Sequence, residues 1–132
     1  MTTQSTLIVI VYAPALVADD TRTLAAVHGL ERALPGLRLE WRVTEGRRLA
    51  ALSQRDEWLA ESAARGKFPL VCNGDVSYPV TISGLTKPAS ESPGGQALLD
   101  VHANMPLDAA VIAAAGDVLE YVAEGTRAFW GR

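Results

Sequence analysis

Leu7-Ile8-Val9-Ile10-Val11 opens the pattern with an unbroken aliphatic run. Such a run predicts a strand buried on both faces and central in its sheet. Pro14 ends it, and Asp19 or Asp20 then offers a helix N-cap. Leu24, Val27, Leu30 and Leu34 recur at helical spacing, predicting an amphipathic helix over 20–34 that Pro35-Gly36 stops. Leu37, Leu39, Trp41 and Val43 then alternate with Arg38, Glu40, Arg42 and Thr44. This period of two predicts a strand with one dry face, which assigns Trp41 to the core. Thr44 is placed to cap a second helix whose stripe is Leu49, Leu52, Leu59 and Ala63, with Trp58 beside it and Gly66 at its end. Arg47 and Arg48 fall near the start of that helix, where the macrodipole disfavours cations.

Beyond Phe68 the texture becomes strand-like. Phe68 to Cys72 predicts a short strand, and Asn73-Gly74-Asp75 a turn. Tyr78, Val80 and Ile82 alternate with Pro79, Thr81 and Ser83; Pro79 cannot donate to a ladder, so this strand is expected at an edge or a bulge. Lys87 to Gly95 has loop composition, and Gln96 to Ala103 predicts a strand with Ala97, Leu99 and Val101 on one face. Asp108 opens a final helix, from near 107 to near 128, with Val111, Ala115, Val118, Val122 and Phe129 as its stripe, widened by Ile112 and Leu119. Gly116 and Gly125 each cost that helix about 1 kcal/mol relative to Ala, which points to close approach of another backbone. The order β-α-β-α-β-β-β-α predicts a single α+β domain over 1–132. Its first half would supply a parallel crossover and its second an antiparallel meander, giving a mixed sheet of about five strands with helices packed on it.

Composition narrows the compartment and the partners. The chain has 132 residues, 48 % of them hydrophobic, long enough to bury a core without staples. Its single cysteine, Cys72, forms no internal disulfide, which favours a reducing, cytoplasmic setting. The first residues lack a positive n-region, and Leu7 to Ala18, broken by Pro14, is too short to span a bilayer, so no membrane is expected. Net charge is −3, and the excess lies in residues 67–132, with four basic against seven acidic side chains. Lys and Arg do not cluster, which argues against nucleic acid as a partner. The acidic bias suits a basic protein partner or simply a solvated surface.

No catalytic constellation stands out. His28 and His102 lack ligand partners at metal-binding spacing, so no metal and no cofactor is expected. Gly94-Gly95 precedes a strand rather than a helix, Tyr12 to Val17 holds no glycine, and no serine sits in a nucleophile elbow. A small-enzyme reading would rest on Cys72, Asp75 and His102, with His102 reaching Cys72 across the meander. Asp75 and Asp100 also sit where they could face each other on neighbouring strands. Surface recognition is the stronger expectation, with Asp75, Tyr78, Glu91 and Trp130 as contact residues. A third reading is an assembly module, a homodimer using the edge strand near Pro79.

The stretch Asn104-Met105-Pro106-Leu107, leading into a helix that ends Ala128-Phe129-Trp130-Gly131-Arg132, resembles the immunity protein 52 family. The opening strand–helix–strand with Leu37-Arg38-Leu39-Glu40-Trp41 resembles it too. That family comprises bacterial α+β immunity proteins paired with restriction-endonuclease-like toxins. The resemblance implies that this chain neutralises a cognate nuclease toxin by direct binding, without catalysis. Family members run longer past the Trp-Gly pair, which implies a chain truncated at its C-terminus.

Overall fold

A computed structural model describes residues 5–17, 20–91, 95–128 and 130–131. The elements are β1 (Thr6–Pro14), α1 (Arg22–Ala33), β2 (Trp41–Val43), β3 (Leu49–Ala51), α2 (Arg55–Ala64), β4 (Phe68–Cys72), β5 (Thr81–Lys87), β6 (Leu98–Pro106), α3 (Ala109–Thr126) and β7 (Trp130–Gly131). The strands form one sheet in the order β3-β2-β4-β5-β6-β1-β7, which with the three helices makes an α+β fold. Every pairing is antiparallel, so the expected parallel crossover is replaced: β1 pairs with β6, and α1 leads the chain to β2 near the opposite end of the sheet.

One face of the sheet carries the core. Val9, Val11 and Ala13 of β1 alternate inward and meet Leu99, Val101, Ala103 and Met105 of β6 and Ile82 of β5. Ala26, Val27 and Leu30 of α1, Leu59 of α2, and Val111, Val118 and Val122 of α3 close the same cluster. Each of the valines, leucines, Ile82 and Met105 among them contributes about 1.5–3 kcal/mol by leaving water, and each alanine less. The two longest helices meet at two glycines. A Cβ on Gly29 would lie 2.7 Å from the Tyr121 carbonyl oxygen, and one on Gly125 would lie 2.7 Å from the Ala25 backbone. Gly125 thus has the close-approach role its position foretold. Gly116 does not: it is exposed, with open space around it.

A buried ion pair fastens three chain segments at the end of this layer. Arg22 bonds the Asp20 carboxylate at 2.7 Å and also donates to the carbonyls of Ala15 and Thr126. Asp20 accepts in turn from the amides of Arg22 and Val17. It therefore serves the start of α1 from the position before the N-cap, which is Thr21; Asp19, the other candidate cap, lies outside the described residues. Burial disfavours the Asp20 charge, but the Arg22 guanidinium and the backbone donors outweigh it and hold the carboxyl at about 2. A second tie joins α1 to α2: Glu31 bonds Arg55 at 2.7 Å and accepts from the Leu39 amide, while Arg55 donates to the Leu39 carbonyl. Burial lowers the Arg55 pKa, but Glu31 and Asp56 raise it further, so the net shift is upward.

The opposite face of the sheet is bare of helices among the described residues, and this overturns two expectations. β1 is not buried on both faces, since Ile8 on its outer face is 49 % exposed. Trp41 is not in the core: Leu39 is fully buried, but Trp41 is 37 % exposed on the bare face, in register with Cys72. Leu39 is held out of the ladder by its bonds to Glu31 and Arg55, so the alternation does not continue through one flat strand. The predicted second helix also starts late. Residues 44–48 form a hairpin turn closed by Thr44, whose amide and hydroxyl bond Arg48, and Arg47 adopts φ +60°. Leu49 is strand β3, and helix α2 begins only at Arg55. The unfavourable arginines near a supposed N-terminus were the sign of this turn.

Candidate functional site

The loop between β4 and β5 is built by its own side chains. Asn73 accepts through Oδ1 from the Val80 and Asp75 amides and donates through Nδ2 to the Tyr78 carbonyl at 2.8 Å, so one side chain closes the loop from within. Asp75 accepts from the Ser77 amide at 3.0 Å and the Ser77 hydroxyl at 2.6 Å, an Asx turn. These two donors hold its carboxyl below the ordinary carboxylate range. Tyr78 donates its hydroxyl to Asp108 at 2.5 Å, while the other Asp108 oxygen caps α3 at the Val111 amide. The shared hydrogen bond pushes the tyrosine up and the carboxyl down. Gly74 has φ +74°, and a Cβ there would lie 2.7 Å from the Trp41 ring, so both conformation and contact require glycine.

This scaffold holds up an apolar tip. Val76, at the apex, is 84 % exposed, with Val43, Leu49 and Trp41 exposed on the adjoining β2–β3 hairpin. Two depressions flank the tip. One, of about 160 Å³, lies on the hairpin side among Val43, Leu49, Cys72, Val76 and Pro79. The other, of about 340 Å³, lies on the α3 side among Leu34, Leu37, Tyr78, Val80, Ala110 and Ala114. An exposed valine on a loop tied by six side-chain hydrogen bonds is held in place with little ordering entropy left to lose.

Of the four expected contact residues, the structure brings together Asp75 and Tyr78. Glu91 belongs to a short 3-10 turn, Ala89–Glu91, beyond the far end of β5, and its side chain lies outside the described residues. Trp130 pairs through its backbone with Tyr12 at the β7 edge; its side chain, like Phe129 and Ser92 to Gly94, lies outside them as well. Tyr78 and Pro79 are in the loop rather than a strand, and the strand that follows, β5, starts at Thr81 with β4 and β6 on its two sides, so it is an interior strand and not an edge one. The sequence reading missed Val76 and the β2–β3 hairpin. A valine between Asp75 and Ser77, in the middle of a turn, was the available signal.

The residues of the enzyme reading do not converge. Cys72 is buried in β4, in register with Thr81, while His102 lies on β6 in register with Ser83. Two strand spacings across and two residues along set their backbones about 12 Å apart. Asp75 is in the loop and Asp100 on β6, so those carboxylates do not face each other from neighbouring strands. Among the described residues no group of three His, Cys, Asp or Glu side chains is placed to hold a metal ion. No helix among them is long and apolar enough to cross a membrane.

Residues 18–132 match the family model described as Domain of unknown function (DUF5953), and the chain belongs to that family. No curated protein and no solved structure gives a match.

Proposed function

We propose that this chain is an immunity-type binding protein that neutralises a cognate bacterial nuclease toxin by direct contact, with the Asn73–Tyr78 loop and the β2–β3 hairpin as its contact surface. The observation that carries this reading is Val76, exposed at the apex of a loop whose shape is fixed by its own side chains and flanked by apolar depressions. Interfaces draw their energy from a few desolvated anchors in well-packed surroundings, and a preformed loop spares the entropy of ordering. Asp75, exposed beside that anchor and held ionised, suits the basic substrate surface of a nuclease. The likeness of the sequence to immunity protein 52 adds the same partner class from a separate direction.

The test is co-expression with the nuclease encoded by the adjacent open reading frame. The expected outcome is a 1:1 complex on purification and restored growth, both lost with Val76→Asp. Continued toxicity in the presence of the folded wild-type chain, with no complex, overturns the proposal.

A further inference from the structure

The bare sheet face has a second apolar area, away from the loop, on β5 and β6. Leu85 stands there 68 % exposed. Asp100 is its neighbour across the ladder, and Lys87 is the neighbour of Leu98. The four residues therefore form a square-like cell, about 4.8 by 6.8 Å, with the leucines on one diagonal and the two charges on the other. Asp100 is half-buried, and its Oδ1 is enclosed without a hydrogen-bond donor. Neither Asp100 nor Lys87 makes an ion pair among the described residues. An enclosed carboxylate oxygen with no partner is costly, and a cation at the accessible side of the same carboxylate offsets that cost through its charge.

We propose that the chain forms a two-fold homodimer through this part of the sheet, each Lys87 set on the Asp100 of the other copy. A two-fold interface requires a patch that complements itself. An axis along the Leu85–Leu98 diagonal meets that requirement. It seats each leucine on its own copy and exchanges the two charges, forming the Lys87–Asp100 pair twice. The diagonal runs about 35° from the strands, so the two sheets pack face to face with strands crossing at about 70°, nearer the orthogonal than the aligned class of sheet packing. The loop at residues 73–78 lies at the β4–β5 connection, outside the square, so this inference is independent of the toxin reading.

Sedimentation velocity on the full chain, from about 1 to about 200 µM, tests it. The expected species at high concentration has twice the 14.0 kDa chain mass. Leu85→Glu, at an exposed position that leaves folding intact, is expected to weaken association at least about 100-fold. Lys87→Ala and Asp100→Asn are each expected to weaken it about 10-fold, and the double variant no more than either alone, because the two side chains act as one pair. Circular dichroism confirms that each variant is folded. A wild-type chain that stays monomeric at the top concentration overturns the inference. So does a dimer indifferent to Leu85→Glu, or one in which the Lys87 and Asp100 effects simply add.

Discussion

The two faces of the sheet are made of similar residue types and are used differently. On the helical face, Val9, Val11, Leu99 and Val101 are shut in by α1 and α3, which approach so closely that glycine is required at positions 29 and 125. On the bare face, Ile8, Trp41, Val43, Leu49 and Leu85 keep much of their surface in water. The helical face is fastened by buried charge, through Arg22 and Asp20, and the loop end by bonds within the loop from Asn73 and Asp75 and by the bond of Tyr78 to Asp108 at the start of α3. On the proposed reading stability and recognition are separable: substitutions on the first face should cost folding, and those at the loop end of the second should cost binding.

The largest expected effect is at Arg22. Arg22→Met leaves Asp20 as an uncompensated buried carboxylate and removes donors from two carbonyls. Urea unfolding should show a loss of about 3–5 kcal/mol. Gly125→Ala drives a methyl against the Ala25 backbone, where neither helix yields cheaply. The same measurement should give a loss of up to about 3 kcal/mol. Acid comes next. The Asp20 carboxyl is depressed from 3.8 to about 2, so its contribution is complete above the unfolded value and is lost as pH falls through that interval. That shift corresponds to about 2 kcal/mol, and Asp20→Asn should flatten the decline in stability below pH 4. Gly116→Ala, in the same helix as Gly125 but facing open space, should instead stabilise the chain by up to about 1 kcal/mol. Opposite signs for the two glycines would locate the helix contact; equal signs would refute it.

Much of the helical face was legible in the sequence. Leu24, Val27 and Leu30 fall at helical spacing, Asp108 caps α3 as its position announced, and Gly66 ends α2 with φ +72°. These are local signals, readable one element at a time. The bare face was harder because hydrophobic alternation records that a side chain avoids water, not which surface covers it. Trp41 and Val43 alternate as core residues do, yet they lie exposed beside the loop at 73–78. Leu49 falls within the predicted helix because Thr44 resembles a cap, whereas the Thr44 hydroxyl closes a hairpin turn. For the candidate site, Asp75 and Tyr78 were visible as polar and aromatic residues at a turn. Asp75 and Tyr78 are tied locally by Asn73 and Ser77, but Tyr78 is also fixed by Asp108, 30 residues along the chain, a contact that no spacing rule reports.

Separation of folding from binding is tested most directly by measuring both in Val76→Asp. Its unfolding free energy should stay within about 0.5 kcal/mol of the parent, as for a surface substitution. Its dissociation constant for the cognate nuclease, by titration calorimetry, should rise at least about 100-fold, the scale of a lost anchor. An unchanged affinity in a variant of unchanged stability would contradict the assignment of this loop to recognition.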